Sequence, residues 1–332
     1  MSVLRTLWIL SRPQLTVYVL FLIFAGYGWA HWDRALTIQH APEFFVVLFG
    51  WWWLNAGTLW LNAGLDKDEG EVLMGESVAP PPHVERYAYG ALLLGPVICF
   101  AAHPLAGLAC LFCAVLAVLY SHPATVWKGH PVAGPFVNGV GYGLLTPMAG
   151  WAVVDVPMDQ RTAAVWALGM LGVVGCYFAA QAFQQDEDSE RGYRTLVATH
   201  GPRTTILTAR VCVGLALSGA VVLALAGWIP RATLIIAPLA VWNDRWFAVW
   251  MERPGGGIEA DAREMARRLL ISGLCGLFVA LAVYGQESYN NVPVAGLGTV
   301  AGHPPDRPLL SPGAMRAWER AQHGIRPAAE VQ

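Results

Sequence analysis

The sequence predicts an all-α protein that crosses a membrane many times. Only 13% of its 332 residues are charged and 55% are hydrophobic, whereas soluble domains carry about 25% charged residues. Long apolar segments follow one another along the chain, separated by clusters of glycine, proline or charge. This composition excludes a soluble globular enzyme, and its wealth of apolar residues excludes a disordered chain. The net charge of −2 gives no indication of nucleic-acid binding.

Nine segments of the chain approach the length of about 20 apolar residues that a helix needs to cross the hydrocarbon core. They are the segments 14–30, 45–62, 87–102, 105–120, 132–154, 163–183, 205–228, 232–251 and 269–284. We therefore expect nine transmembrane helices within one domain, residues 1–285. The remaining residues, 286–332, form a tail rich in proline and glycine, which we expect to be loosely ordered.

Lysine and arginine set the expected orientation, because cytoplasmic loops of membrane proteins carry an excess of both. With the N terminus inside, twelve basic residues fall on the inner side and three on the outer side. The inner residues are Arg5, Arg12, Lys67, Arg86, Lys128, Arg191, Arg194, Arg203, Arg253, Arg263, Arg267 and Arg268. The outer residues are Arg34, Arg161 and Arg231. We expect a multi-pass protein of the bacterial cytoplasmic membrane, with its C-terminal tail outside.

Acidic residues concentrate in two clusters, one after the second segment and one after the sixth, both on the predicted cytoplasmic side. The first cluster contains Asp66, Asp68, Glu69, Glu71 and Glu76, and the second contains Asp186, Glu187, Asp188 and Glu190. Their separation of four segments suggests two four-helix repeats with a ninth helix added.

The spacing within the clusters predicts a metal site. Asn62 and Asp66 are four residues apart, as are Gln184 and Asp188, so each pair projects from one helix face. Asp186 is half a turn away from its neighbours and needs a bend in the chain to join them. Two facing sets of oxygen ligands can hold Mg²⁺ together with substrate phosphates. The alternative is a set of solvated loop acids, which the position at the ends of membrane helices disfavours.

Basic residues on the same side can neutralise a diphosphate. Lys128, one of two lysines in the chain, follows the fourth segment, and Arg12 stands just before the first. Arg194 and Arg203 follow the second acidic cluster. Arginine binds phosphate oxygens through two donors and lysine acts as a point charge. The alternative for each residue is ordinary retention of positive charge on the inner side.

A further pair of charges, Asp244 and Arg245, falls inside the eighth segment. Charges are costly within a membrane span and need a partner or a function. A structural ion pair is favoured here over a binding site for an acceptor substrate.

Four stretches of the chain resemble motifs of the UbiA superfamily of intramembrane prenyltransferases, in the family's order. They are SRP at 11–13, NAGLDKDEG at 62–70, YSHP at 120–123 with Lys128 and NGVGYG at 138–143, and DEDSERGYRTL at 186–196 with Gly201. The nine predicted segments also match that family. The resemblance covers residues 11–201 and implies a UbiA-like helical bundle.

The resemblance implies a Mg²⁺-dependent prenyltransferase. A polyprenyl diphosphate ionises, and a lipophilic, often aromatic, acceptor attacks the resulting allylic cation inside the membrane. The implied catalytic residues are Asp66, Asp188 and Lys128. The implied metal ligands are Asn62, Asp66, Asp68, Asp186 and Asp188. The implied diphosphate-binding residues are Arg12, Asn62, Lys128 and Arg194. Aromatic residues that can flank the cation are Trp53, Trp60, Tyr142 and Trp151.

Two positions depart from the family pattern. Gly70 stands where the first motif ends in aspartate, and Gln184 stands where the second begins with aspartate. The loop 75–82 also lacks the basic residues usual after the first motif. The departures favour a divergent branch of the family.

Three alternatives to the transferase stay open. A terpene cyclase of the same superfamily would ionise the same diphosphate, and sequence does not separate it from a transferase. A catalytically weakened member would serve as a subunit of a membrane complex with protein partners. A transporter is disfavoured, because the polar clusters lie at one side of the membrane.

Overall fold

The structure, a computed structural model, describes residues 2–30, 40–66, 73–76 and 78–290, without the side chains of 280, 281 and 283–290. All regular structure within these ranges is helical. The α-helices are α1 (Val3–Leu10), α2 (Pro13–Ala30), α3 (Ala41–Asp66), α4 (Val84–Ala102), α5 (Pro104–Ser121), α6 (Ala133–Val140), α7 (Thr146–Ala152), α8 (Gln160–Gln181), α9 (Gln185–Glu190), α10 (Leu196–Leu225), α11 (Ile236–Trp250) and α12 (Glu259–Asn290).

The predicted apolar segments fall largely on these helices, because a backbone in hydrocarbon must satisfy its hydrogen bonds internally. Six helices of the described residues are long and apolar enough to cross a membrane, namely α2, α3, α4, α5, α8 and α10. The predicted count of nine spanning helices is therefore not confirmed. The fifth predicted segment is three shorter pieces, and α11 has only 15 residues.

The interruption in the fifth segment is a π-helical turn, Gly141–Leu145, that joins α6 to α7. The carbonyl oxygen of Gly141 accepts hydrogen bonds from the backbone N–H of Thr146 and also from its hydroxyl, the latter at 2.8 Å. Turns of this kind are frequent at functional sites, and Gly141, Tyr142 and Thr146 all line the cavity described below.

Small residues let the helices approach closely, as is common in membrane bundles. A Cβ added at Gly26 in α2 would lie 1.9 Å from the carbonyl oxygen of Pro147 in α7. A Cβ at Gly150 in α7 would lie 2.0 Å from the carbonyl oxygen of Ile23 in α2. Both contacts are backbone to backbone, so α2 and α7 pack at this distance only with glycine.

The buried apolar side chains form two clusters. One is built mainly by α2 to α5 and α7, with Trp51, Leu61 and Val47 at its centre. The other is built by α8, α10, α11 and α12, with Phe247 and Trp250 fully buried. The cavity is lined from both sides. The predicted repeat of two four-helix units stays a prediction.

The charged pair in the eighth segment has a structural partner. Asp244 in α11 accepts two hydrogen bonds from Arg210 in α10, at 2.6 and 2.8 Å. This confirms the preference for an ion pair, although the partner is Arg210 and not the neighbouring Arg245. Helix α12 continues to Asn290, which is beyond residue 285, the predicted end of the domain. Residues 291–332 of the predicted tail lie outside the described residues.

Candidate functional site

An amphipathic cavity of about 530 Å³ lies between the two apolar clusters. One end is polar and is formed mainly by residues in the last turns of α3 and α5 and in the segments that follow α5 and α8. The residues that define this polar end are Arg12, Asn62, Asp66, Ser121, Lys128, Gln184, Glu187, Asp188, Arg191 and Tyr193. The rest of the wall is mostly apolar and includes Leu15, Val19, Leu22, Trp51, Leu54, Leu116, Val173, Leu269 and Leu270.

The last turn of α3 carries the first part of the polar end. Asn62 and Asp66 share one face of the helix, as the spacing predicts, and both line the cavity. The ammonium of Lys128 contacts the carboxylate of Asp66. It also donates to Oδ1 of Asn62 at 3.4 Å, and the Ser121 hydroxyl donates to the same oxygen at 3.2 Å. The structure therefore brings Asn62, Asp66 and Lys128 together, as the sequence predicts.

Lys128 is held by a tight turn after α5. Val126 takes a left-handed conformation with φ of 45°, and the next residues form a short 3₁₀ turn, Trp127–Gly129. The N–H of Arg194 donates to the carbonyl oxygen of Gly129 at 2.8 Å. Only 8% of Lys128 is exposed. Burial and the nearby Arg191 guanidinium lower its pKa, while Glu187 and Asp188 raise it. The turn thus fixes a basic group inside the cavity.

The second acidic cluster forms a separate short helix, α9, after a break at the end of α8. Asp188 is 8% exposed, and its Oδ2 accepts a hydrogen bond of 2.5 Å from the Thr195 hydroxyl. Its backbone oxygen accepts from the N–H of Tyr193 at 2.8 Å. Burial raises the pKa of Asp188, whereas the bond from Thr195 and the charges of Arg191 and Lys128 lower it. Asp188 therefore points inward with its carboxylate fixed.

Arg191 joins the two acidic clusters across the mouth of the cavity. Its guanidinium lies 3.7 Å from Oδ2 of Asp66 and 2.8 Å from Oε1 of Glu187. It also donates to the backbone oxygen of Asp66 at 3.5 Å. The sequence interpretation assigned no role to Arg191. The spacing of four residues from Glu187 was a signal for a helical ion pair, but nothing in the sequence pointed to Asp66.

The other predicted site residues are divided between the cavity wall, the exposed surface and the residues that the structure does not describe. Arg12 lines the cavity beside the start of α2. Asp186 and Arg194 are exposed and are not among the residues that line the cavity. Asp186 and Asp188 are two residues apart in α9, so with Asp188 facing the cavity Asp186 lies about half a turn away and faces outward. Gln184 lines the cavity in the position where the family has aspartate. Asp68 and Gly70 lie outside the described residues.

The aromatic residues expected beside the cation are mostly structural. Tyr142 lines the cavity, but Trp53, Trp60 and Trp151 do not. Trp60 donates its indole N–H to the Leu7 carbonyl oxygen at 2.8 Å, and Trp151 packs edge-on against another tryptophan. Trp53 packs edge-on against Trp52 and Trp60 of its own helix. The expectation is therefore wrong for these three, because their rings contact other protein groups and do not line the cavity.

The cavity is also lined by six aromatic residues that the expectation does not name. They are Tyr18, Phe21, Trp51, Tyr120, Tyr177 and Tyr193.

Two amide groups in the cavity wall have an oxygen with no partner among the described residues. Asn55 donates its N–H₂ to the Thr16 hydroxyl at 2.9 Å, and its Oδ1 is left over. Gln181 donates to the Tyr177 hydroxyl at 2.7 Å, and its Oε1 is left over. Asn55 is 2% exposed and Gln181 6%. Buried amide oxygens normally find a hydrogen bond, so both are suited to a ligand that carries a donor.

Oxygen donors dominate the polar end. Within the described part of the chain, no group of three or more His, Cys, Asp or Glu side chains is placed to hold a metal ion alone. Asn62, Asp66 and Asp188 offer one amide and two carboxylate oxygens. Mg²⁺ takes such hard ligands and is commonly bound by one or two carboxylates together with substrate phosphates and water. The donor set therefore fits Mg²⁺ that is completed by a phosphate ligand.

Comparison with protein families gives one match that spans most of the chain. The model of the UbiA prenyltransferase family matches residues 13–256. A curated relative, protoheme IX farnesyltransferase of Roseiflexus sp. (strain RS-1), is 28% identical over 179 residues. That region covers 51% of this chain and 33% of the relative, so the match spans about a third of the relative's length.

Solved structures share the fold. A UbiA homologue from Archaeoglobus fulgidus, bound to DMAPP and Mg²⁺, superposes with a TM-score of 0.62 at 16% identity over 84% of this chain and 99% of that one. The same homologue bound to GPP and Mg²⁺ gives the same values. A digeranylgeranylglyceryl phosphate synthase gives a TM-score of 0.61 at 16% identity, over 86% of this chain and 100% of that one. At these identities the likeness shows the helical fold.

Proposed function

The chain belongs to the UbiA prenyltransferase family, and we propose that it transfers a prenyl group from a polyprenyl diphosphate to a lipophilic acceptor within the membrane. The observation that carries the proposal is one cavity with a charged end and apolar walls. A prenyl diphosphate has the same division, with a charged head and an apolar tail. The protein is an integral membrane protein, and we place the charged end at the cytoplasmic face because the basic loops lie there.

The charged end holds the diphosphate. Mg²⁺ held by Asn62, Asp66 and Asp188 would neutralise phosphate oxygens and favour departure of the diphosphate. Two structures of the homologue from Archaeoglobus fulgidus are described as bound to Mg²⁺ with a prenyl diphosphate, which supports this assignment. Lys128 and Arg191 add fixed positive charge at the same end. Because this charge is already in place, it stabilises the negative charge that grows on the leaving group.

The apolar wall holds the tail and excludes water. Asp66 and Trp51 both line the cavity from α3, and at 1.5 Å per residue they lie about 22 Å apart along the helix. This depth accommodates a chain of several isoprene units. A dry wall also protects the allylic cation from attack by water. Tyr142 and Tyr120 line the cavity and can stabilise the cation through their π faces.

The acceptor substrate explains the leftover amide oxygens. The hydrocarbon tail of a prenyl diphosphate has no hydrogen-bond donor, so it cannot satisfy Oδ1 of Asn55 or Oε1 of Gln181. An acceptor with a hydroxyl or N–H group can do so. Asn55 stands two helical turns above Asn62 on the same face of α3, about 10 Å from it. We assign the acceptor to a lipophilic molecule, such as an aromatic ring, with at least one such donor.

Turnover by purified protein tests the proposal. Geranyl, farnesyl and geranylgeranyl diphosphate would each be supplied in detergent or nanodiscs, with Mg²⁺ or EDTA, and with phenolic acceptors. The expected result is Mg²⁺-dependent release of diphosphate and a prenylated acceptor, both lost in Asp66→Asn. A cyclic hydrocarbon in place of the prenylated acceptor would make the protein a cyclase. Absence of turnover with all three substrates would contradict the proposal.

A further inference from the structure

We propose that Glu259 is a positioning residue that latches the segment after the first aspartate motif over the mouth of the cavity. Leu73 and Met74 belong to this segment and both line the cavity. Oε1 of Glu259, the first residue of α12, accepts a hydrogen bond of 2.7 Å from the backbone N–H of Met74. The contact joins two parts of the chain that are 185 residues apart.

The latch is buried and charged. Glu259 is 7% exposed and Met74 4%. Arg263 holds the same carboxylate through two hydrogen bonds, at 3.1 and 2.8 Å. A carboxylate in such a place is costly unless it is paired and hydrogen-bonded, and a bond from an N–H to a charged acceptor is stronger than a neutral one. Glu259 therefore fixes the backbone of Met74 more firmly than loop packing alone.

The turn that precedes Glu259, residues 251–258, is itself held by hydrogen bonds and close packing. The indole N–H of Trp250 donates to the Gly256 carbonyl oxygen at 2.8 Å, and Asp261 accepts from the N–H of Ile258 at 3.0 Å. A Cβ at Gly256 would lie 2.3 Å from the Ala182 carbonyl oxygen, so this turn packs against the end of α8. The latch thus connects the segment after the first motif to the helix that precedes the second.

Leu73 and Met74, held in this way, form part of the cavity wall beside α12. Leu73 packs on the apolar cluster that contains Met265, and Met265, Ala262 and Ala266 of α12 line the same stretch of wall. Met74 thus adds a buried apolar side chain to this part of the wall. The consequence for chemistry, exclusion of water from the allylic cation, rests on the proposed function. The contact itself does not.

Accessibility of residue 74 tests the latch without any substrate. Met74→Cys leaves the backbone N–H that Glu259 binds, and its reaction with a membrane-impermeant maleimide is followed peptide by peptide. Adding Glu259→Ala is expected to raise the labelling rate about tenfold or more, because a bond to a charged group is lost. Glu259→Gln keeps an accepting oxygen and should restore much of the protection.

Glu264→Ala is the matched control. Glu264 is on the same helix and pairs with Arg268 four residues on, as Glu259 pairs with Arg263, but its hydrogen bonds are to Arg267 and Arg268 and not to Met74. Its loss is expected to leave the labelling of residue 74 within about twofold, as for most surface changes. Equal labelling in the Glu259→Ala and Glu264→Ala backgrounds would overturn the latch.

Product analysis then tests its role. With farnesyl diphosphate and Mg²⁺, Glu259→Ala is expected to raise the share of farnesol, the product of water attack, several-fold over prenyl transfer. If the share of farnesol is unchanged while labelling at position 74 is raised, Glu259 still holds the segment, but its proposed role in excluding water is wrong. If the native protein turns over no allylic diphosphate, the proposed function fails, and the labelling experiment still decides whether Glu259 holds the segment.

Discussion

The two acidic clusters look alike in sequence and differ in structure. The first ends a continuous helix of 26 residues, and its Asp66 carboxylate meets two cations, Lys128 and Arg191. The second follows a break and forms a separate six-residue helix. There Asp188 meets a neutral hydroxyl, that of Thr195. The comparison shows that the ion pairs of the site meet at Asp66 of the first cluster. The second cluster supplies the buried carboxylate of Asp188, and Arg191, which directly follows it, pairs with Asp66.

The largest expected effect comes from the carboxylate of Asp66. Asp66→Asn removes a proposed metal ligand and the anionic partner of Lys128 and Arg191. Loss of one charge-stabilising group in an active site costs about 10²–10³-fold in kcat, and we expect the upper end. Diphosphate release measures the loss, with circular dichroism to show that the helices remain. Activity within tenfold of the native protein would remove Asp66 from the centre of the site.

The second cluster offers a matched pair, Asp188 and Asp186. Asp188→Asn should lower kcat about 10²-fold, because a buried carboxylate in the cavity is lost. Asp186→Asn should change kcat less than about twofold, since that side chain is exposed and most surface changes are small. Steady-state kinetics of both variants distinguishes them. Equal losses would mean that α9 reorients and that the sequence motif, which includes both residues, is the better guide.

A smaller effect separates Arg191 from Arg194. Arg191→Gln should raise KM for the prenyl diphosphate about tenfold, the factor that corresponds to ~1.4 kcal/mol, because a guanidinium at the mouth of the cavity is lost. Arg194→Gln should leave KM within about twofold. Initial rates over a range of substrate concentrations give both values. A larger effect at Arg194 would favour the sequence prediction over the observed placement of these side chains.

Local spacing explains what the sequence predicted well. The position of Asn62 and Asp66 on one helix face follows from the period of the α-helix. The apolar segments identify most of the helices for the same kind of reason, since their composition alone demands internal hydrogen bonds. Lys128 stood out because lysine is so rare in this chain. Each of these signals lies within about one or two turns of the residue concerned.

Tertiary packing explains what the sequence missed. Helical spacing puts Asp186 and Asp188 on opposite faces of α9, but only the packing of α9 decides that Asp188 is the buried one and Asp186 the exposed one. Arg191 reaches Asp66 across 125 positions of the chain. The unpartnered oxygens of Asn55 and Gln181 are defined by what their neighbours lack. These features depend on which helices pack against each other, and no local sequence pattern indicates that packing.

Direct binding tests the central claim, that the charged end of the cavity holds a prenyl diphosphate with Mg²⁺. Calorimetric titration of an unreactive thio analogue of farnesyl diphosphate separates binding from turnover. The account predicts saturable binding that Mg²⁺ strengthens about tenfold or more, a gain of ~1.4 kcal/mol, and that Asp66→Asn abolishes. Equal binding by the native protein and Asp66→Asn, or no binding with Mg²⁺ present, would contradict it. The second result would favour a non-catalytic subunit of a membrane complex.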